Sequence, residues 1–499
     1  MSSLRITKIE VHEFTFPMND VGKDYNGFNL VYEKGSTQTG YAYAMKIHTN
    51  EGVTGEYVGG DSPSFAELNM FANYLIGKDP LQRELIYNDV KRAMRKYDKM
   101  GLGPVDIALW DLAGKLYNAP IYELLGGWRT KLKCYASTMH GDRNGGLDSP
   151  EAFADFAVQC KEMGYPAFKI HGWGDYKIQQ EIDMIHAVRA AVGPEMDLML
   201  DPACEINTWL EAVKIGKACD EANYMWLEDP YKDTGVSMHG HKKLREIIKT
   251  PLLQTEHIRG VEQHVDFIAS GATDIVRVDP DYDSGFTGAM KIAHAAEGFG
   301  LDVEIHSPGP AQRHLMAALR NTNYYEMALI HPKTEQIGRP HEVYADGYRD
   351  AMDSIDSEGY VPVPQGDGLG VTYDWDFIMK NRQGGREYGG SHLVDRLISD
   401  GYMVVGIDDL SSGKLENLPA EFDLRKMDTR DRELRSVIAE IRPDTVFHLA
   451  AQMSVSVSAK EPMLDADVNI GGSLNLLEGI RALGDNVARF VHFSSGGMV

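Results

Sequence analysis

Apolar residues along the first fifty positions alternate with polar ones, as in ITKIEVHEFTF and GYAYAMKIHTN, which predicts two half-buried strands. The polar, glycine-rich stretch at 19–37 reads as an open loop between them. Helical spacing follows. The segment GPVDIALWDLAGKLYNAPIYELLGG predicts a buried helix ending at a glycine cap, so residues 1–130 form an α+β unit. From Lys131 onward the rhythm changes to eight short apolar runs: KLKCYAST, YPAFKIHG, DLMLDP, NYMWLEDP, LLQTE, DIVRVDP, LDVEIHSP and YYEMALIHP. Helical segments such as SPEAFADFAVQCKEMG and DYKIQQEIDMIHAVRAAVG separate most of them, which predicts a (β/α)8-type barrel over 131–380. Residues 359–377 read as a tail returning to the first unit, and 380–390 is the seam before a third segment, 389–499, with its own strand–helix alternation.

Acidic residues punctuate the barrel at wide intervals, each read as following an apolar run: Asp201, Glu228, Glu256, Asp279 and Glu326, with His306 between the last two. The first three are 27 and 28 residues apart, the length of one β–α unit, so a barrel brings them to one rim. Asp201, Glu228 and Glu256 then offer the oxygen ligands that Mg2+ prefers, with places left for water and a substrate carboxylate. Removing a proton from the carbon beside a carboxylate leaves an unstable dianion, which a divalent cation and a nearby ammonium stabilise. Lys169 stands where that ammonium is expected, and His171 points to the same side of its strand. His306 is a candidate general base oriented by Asp279. Glu326 either donates a hydrogen bond as an acid or organises solvent as a carboxylate, and the sequence leaves both open. Taken singly, such residues are ordinary caps and turns: Asp229 and Pro230 read as helix entry, and Asp281 and Asp283 as a solvated turn. The set as a whole points to an enzyme.

Composition narrows the partners. The formal net charge of −24 argues against nucleic-acid or anionic-membrane surfaces and fits a small carboxylate substrate met with a metal's help. The four cysteines, Cys134, Cys160, Cys204 and Cys219, lack ligand spacing and read as core or incidental. No leader-type or membrane-length apolar run occurs, so the expected location is cytoplasmic.

Residues 1–380 resemble the enolase superfamily, specifically its mandelate racemase-like branch. The resemblance rests on LMLDP, WLEDP, LLQTE, DIVRVDP, VEIHSP, YYEM, DIALWDLAGK and the LLGG turn. It implies a capping domain over a modified (β/α)8 barrel and Mg2+ held by Asp201, Glu228 and Glu256. It also implies an Asp279–His306 dyad, a last-strand Glu326 and an even-numbered homo-oligomer. Many members carry Lys-x-Lys after the second barrel strand, whereas this chain has Lys169-x-His171. That departure disfavours a Lys/His two-base racemase and suits a sugar-acid dehydratase making a 2-keto-3-deoxy acid. There His306 takes the α-proton, and either His306 (syn) or His171 (anti) protonates the departing hydroxide. Epimerisation with His171 and His306 on opposite faces is the second reading, a cycloisomerase the third, and an inactive scaffold the non-enzyme alternative. Lys23, Tyr25 and Asn29, together with Asp24 and Asn26, are candidate hydroxyl-binding groups in the first unit, and His140 and Trp173 candidate lining of the barrel mouth.

Residues 389–499 resemble the N-terminal part of an extended short-chain dehydrogenase/reductase, most like a nucleotide-sugar 4-epimerase, through SHLVDRL, DDLSSG, PDTVFHLAAQ, DADVNIGGSLNLLEG and FVHFSSGG. GGREYGGSHL partly resembles a dinucleotide glycine loop, and Asp408 stands where a ribose-binding acid is expected. Glu387 occupies the middle glycine position, where its charge would crowd a pyrophosphate. With no Tyr-x-x-x-Lys motif and no first strand, the expectation is an inactive half-domain with a sheet edge left open.

Overall fold

The first two strands, β1 (Ile6–Lys23) and β2 (Leu30–Thr49), pair antiparallel through Ile9↔Ile47 and Val11↔Met45, whose side chains are buried on one face. The computed structural model describes residues 4–334, 340–389, 392–411, 418, 422–452, 460–484 and 487–492. They divide into two compact units, Met1–Tyr388 and Gly389–Val499. The expected open loop at 19–37 is a correction: pairing continues through Val21↔Tyr32 and Lys23↔Leu30, so the turn is confined to 24–29. Val21 is fully buried beside Met139 and Leu329 of the barrel, and that packing overrides the polar composition of the ribbon.

β3 (Thr54–Val58) and a strand from far along the chain, β13 (Arg382–Tyr388), complete a sheet in the order β13-β1-β2-β3. Helix Leu102–Tyr117 lies between this sheet and the barrel and is buried nearly all round. It ends at left-handed Asn118 rather than at a glycine, because Pro120 follows, and a second short helix, Ile121–Leu124, precedes the glycines. Asp106 of the long helix accepts from Thr287 N (2.9 Å) and Oγ1 (2.7 Å) of the barrel. Asp281 accepts from Tyr57 Oη (2.8 Å) and Gly60 N (3.1 Å). These bonds seat the cap over the strand ends.

All eight apolar runs are strands of one parallel sheet. They are β4 (Lys131–His140), β5 (Ala167–His171), β6 (Asp197–Asp201), β7 (Trp226–Glu228), β8 (Leu252–Gln254), β9 (Ile275–Val278), β10 (Asp302–Ile305) and β11 (Tyr325–Ile330). β11 returns to pair with β4, and among the described residues no ladder joins β10 to β11, so the barrel is a modified one. β12 (Tyr360–Pro362) pairs antiparallel on the outside of β4. Helix Pro150–Met163 shows how local chemistry sets the elements: Ser149 caps Ala152 N at 3.2 Å, proline opens the helix and left-handed Gly164 closes it. Inside, Tyr135, Ala167, Met199, Trp226, Leu253, Ile275 and Tyr324 form an apolar layer. The period of two then raises Lys169, Asp201, Glu228, Arg277 and Glu326 into the layer above. Glu326 is thus the second residue of β11, below the rim, and not a residue after its run. Among the described residues no helix is long and apolar enough to cross a membrane.

The second unit contains two separate parallel pairs, β14 (Val405–Asp408) with β15 (Asp423–Lys426), and β16 (Thr445–His448) with β17 (Arg489–His492). Leu434, Ile438 and Leu476 form its small core. Two pairs are what a dinucleotide-type sheet of order 3-2-1-4-5 leaves when its central first strand is missing. Residues 384–388 of the expected glycine loop lie instead in β13, where Gly385 opposes His12 of β1; Gly390, Ser391 and the FSSGG motif after Val491 and His492 fall outside the described residues. Asp408 ends β14 and caps Leu410 N at 2.6 Å.

Glu181, fully buried in helix Ile178–Val192, accepts one bond from Trp173 N (3.0 Å), while its second oxygen has no partner. Burial pushes its carboxyl from 4.5 up to about 8. A raised folded value means that its contribution is fully present below about 4.5 and lost as pH rises through about 8. Glu181→Gln keeps the uncharged shape, so its urea midpoint should match the parent near pH 5 and exceed it at pH 9. Parallel pH profiles for the two proteins would show that Glu181 is not the titrating group.

Candidate active site

Two buried cations organise the charged layer. Lys169 Nζ, 1% exposed, lies 3.1 Å from Glu228 Oε2, 3.3 Å from Asp201 Oδ2 and 3.0 Å from Glu326 Oε1. Arg277, two residues before Asp279 on the same inward face, reaches Glu228 Oε1 (2.5 Å), Glu326 Oε2 (3.5 Å) and Glu256 Oε2 (3.8 Å). Its guanidinium also donates to Tyr135 Oη at 3.3 Å, and Trp226 Nε1 donates to Glu228 at 3.2 Å. Arg277 was not singled out in the sequence; the available signal was its even spacing from Asp279 within an otherwise apolar run. Burial alone would raise Glu326, but Lys169 and Arg277 outweigh it and hold the carboxyl well below the usual range.

At the rim, Asp201 ends β6 with Oδ2 3.0 Å from His171 Nε2 and Oδ1 accepting from Ala203 N at 2.7 Å. His171 Nδ1 donates to Thr138 O at 2.6 Å, and the His140 ring lies 5.0 Å away. Trp173 is buried with Nε1 on Asp142 O, and so supports the mouth from behind. Further round, His306 follows β10 and places Nδ1 2.6 Å from Asp279 Oδ2 and Nε2 3.4 Å from Glu256 Oε1. Burial presses His306 down, yet Glu256 and Asp279 together raise it to about 9. The Tyr282 ring stacks at 6.0 Å, and beside the dyad opens a cavity of about 180 Å³ bordered by Gly60, Asp279, Tyr282, Ser307, Pro308 and Leu329. Asp281 and Asp283 are buried rather than solvated: Asp283 accepts from Asp279 N (3.0 Å), and Asp281 N donates to Asp279 Oδ1 (2.8 Å). They fix the dyad's acid.

The carboxylates expected as metal ligands are thus partly engaged by Lys169, His171 and Arg277. Asp229, far from any helix entry, is 2% exposed, and neither of its oxygens has a hydrogen-bond partner, His257 Nε2 standing 3.6 Å from Oδ2. Burial and then Glu256, Glu228 and Asp201 push its carboxyl well above the ordinary range. Asp229, Glu256 and His257 present ligand atoms that all lie within 4.8 Å of one another. An orphaned buried carboxylate among three others is a donor set that fits a divalent cation.

The candidate hydroxyl-binding residues mostly brace their own turn. Lys23 Nζ donates to Phe28 O (3.4 Å), and Asn29 Nδ2 donates to Asp24 Oδ2 (3.0 Å) and to Glu205 Oε1 (3.4 Å), just past β6. Tyr25 is 66% exposed. The turn at 24–29 is pinned to the barrel rim through Glu205, which the sequence did not single out.

Comparison with known proteins agrees with this architecture. The model for the enolase C-terminal domain-like family matches residues 152–377, and that for the mandelate racemase/muconate lactonizing enzyme N-terminal domain matches 30–126. D-gluconate dehydratase of Thermoproteus tenax is 26% identical over 336 residues, 64% of this chain, and the match spans 65% of that protein, just under two thirds of its length. D-galactarolactone cycloisomerase of Agrobacterium fabrum is 30% identical over 354 residues, 68% of this chain and 90% of that protein. The crystal structure of D-glucarate dehydratase from Agrobacterium tumefaciens complexed with magnesium gives a TM-score of 0.69 at 30% identity, covering 76% of this chain and 99% of that one. Toward the C-terminus, the GDP-mannose 4,6-dehydratase family model matches 383–498. There UDP-glucose 4-epimerase of Mycolicibacterium smegmatis is 49% identical over 115 residues, 22% of this chain and 36% of that protein. With a capping sheet, an eight-stranded modified barrel and matches along both, the chain belongs to the enolase superfamily and carries a separate C-terminal domain of the GDP-mannose dehydratase, short-chain dehydrogenase/reductase type.

Proposed function

We propose that the first unit is a Mg2+-dependent hydro-lyase that removes the proton α to the carboxylate of a sugar acid and releases a 2-keto-3-deoxy acid. The observation that carries this reading is the Asp279–His306 pair at 2.6 Å, set beside a cluster of carboxylates with too few counter-charges. The D-gluconate and D-glucarate dehydratases described above support the substrate class, and magnesium in the D-glucarate dehydratase complex supports the cation.

Asp201, Glu228 and Glu256 would hold the ion. When bound, it supplies Lewis-acid stabilisation of the charge that builds on the substrate carboxylate. Lys169 adds an ammonium on the same side, kept charged by Glu228 and Glu326 although burial opposes it. His306 Nε2 takes the α-proton, while Asp279 keeps the Nδ1 proton in place and so fixes the tautomer. Glu256 is the carboxylate that raises His306 most, so neutralising Glu256 brings His306 back toward the range of a base. The proton for the departing hydroxide comes from His306 itself for syn elimination. His171, on β5 with Nε2 at Asp201, is the acid for anti elimination. The second reading is epimerisation, with His171 and His306 acting on opposite faces of the substrate. The C-terminal unit is similar to a nucleotide-sugar 4-epimerase in motif and identity. Because residues 384–388 of its expected glycine loop are in β13, we assign it no chemistry.

Purified protein with Mg2+ and a panel of aldonate and aldarate acids should yield a keto-acid product, and His306→Asn should lower that rate by about 10²–10⁴-fold. An epimer, or exchange of the α-proton in D2O with no keto product, would transfer the assignment to the second reading. Arg277→Met leaves Glu228 and Glu326 short of a buried partner and should cost about 3–5 kcal/mol in urea unfolding, with Arg277→Lys recovering part of it. Unchanged stability in Arg277→Met would mean that the buried pair is not holding the layer together.

A further inference from the structure

We propose that the cavity beside the Asp279–His306 dyad receives the far end of the sugar acid and selects an uncharged terminus, so that aldonates are substrates in preference to aldarates. The inference rests on the sugar-acid substrate of the reading above and adds which end group the site accepts.

Geometry directs the carbon chain there. With the α-proton at His306 Nε2, the carbons beyond it leave the dyad through open space. On the β5–β6 side that space is filled. Asn29 donates to Glu205 just past β6, and a Cβ at Gly174, after β5, would stand 2.6 Å from Asp24 Oδ2. The turn at 24–29 therefore lies directly on those two loops. On the other side, the loops after β9 and β10 and the end of β11 border the open volume of about 180 Å³, room for a short polyol tail.

The lining decides the end group. Tyr282 and Ser307 offer hydroxyls, while Pro308, Ala328 and Leu329 offer apolar wall, a mixture suited to a hydroxymethyl terminus. Its charged groups are both acids, Asp279 and Asp281, and among the described residues the lining holds no lysine, arginine or histidine. Cations elsewhere in the mouth are committed. Lys169 and Arg277 are 1% and 0% exposed and are shared between Glu228 and Glu326. Arg259 lies across the Tyr282 ring at 5.1 Å and donates to the carbonyls of Glu256 and Ile258. Arg143 pairs with Asp175 at 2.9 Å. A second carboxylate in this cavity would sit beside two acids and meet no cation of the lining, a placement that rejects it through unpaired like charge.

D-Gluconate and D-glucarate differ only at C6, a hydroxymethyl group in one and a carboxylate in the other, and other aldonates pair with aldarates in the same way. Full-length protein with Mg2+ should favour the aldonate of the pair it converts by about 10²-fold or more in kcat/KM. Ala328→Arg sets a cation in the cavity wall and should move that ratio toward the aldarate by about tenfold or more. Calorimetric binding of both acids to His306→Asn protein reads the same preference without turnover, with the aldonate bound more tightly. An aldarate converted or bound as well as its aldonate would overturn the inference, and a keto-acid product in that experiment would leave the dehydratase reading standing. Binding of neither acid, or a ratio unmoved in folded Ala328→Arg protein, would also overturn it. Tighter aldonate binding in a protein that yields no keto acid would keep the terminus preference and remove the dehydratase reading instead.

Discussion

Charge balance inside the barrel mouth is the constraint on which this structure depends. Asp201, Glu228, Asp229, Glu256 and Glu326 share a space with two buried cations, Lys169 and Arg277. Unpaired charge in such surroundings costs several kcal/mol or more, so each carboxylate must find a partner, be protonated, or be met by an external cation. Lys169 and Arg277 satisfy Glu228 and Glu326 and reach Asp201 and Glu256 more loosely. Asp229 is left over. The deficit is local, and it lies where the family resemblance expects a metal ion.

Strand periodicity explains how one layer can be so polar without breaking the fold. The layer beneath it is closed by Tyr135 against Trp226, rings 5.7 Å apart and edge to face. Those same two side chains lend polar atoms upward, Tyr135 Oη to Arg277 and Trp226 Nε1 to Glu228. The apolar floor is therefore also part of the hydrogen-bonding shell of the site, and substitutions in it would be felt by the carboxylates above.

Most of the barrel is legible in the chain because each strand is a short apolar run bounded by turn residues, and because 27- and 28-residue spacing puts acids at strand ends. What escaped is what depends on tertiary context. Arg277 looks like an interruption of DIVRV until its neighbours across the barrel are known. Asp281 and Asp283 have the composition of a solvated turn, yet both are buried, Asp281 against Tyr57 and Gly60 of the capping unit and Asp283 on Asp279 N. The β1–β2 ribbon is polar enough to read as a loop and is held by Val21 against Met139. The glycine-rich stretch ending at Tyr388 had the letters of a phosphate loop, but β1 offered an open edge with matching register, and pairing satisfies its backbone.

That last substitution also governs the C-terminal unit. A parallel sheet of the dinucleotide type is organised by its first strand, which separates the two halves and leads into the phosphate-binding turn. Here residues 382–388 are committed to the capping sheet of a different fold, and the strands after helix His392–Ser399 form two pairs among the described residues. High identity over 115 residues preserves the individual strands and helices, because those are specified locally. A site built from the junction between them is a separate matter, since function resides in such sites and not in the fold that carries them. In the barrel, at an identity of about a quarter to a third, Asp201, Glu228, Asp279 and His306 stand at or just after strand ends and Lys169 two residues before one, and the strand ends converge whatever fills the loops between.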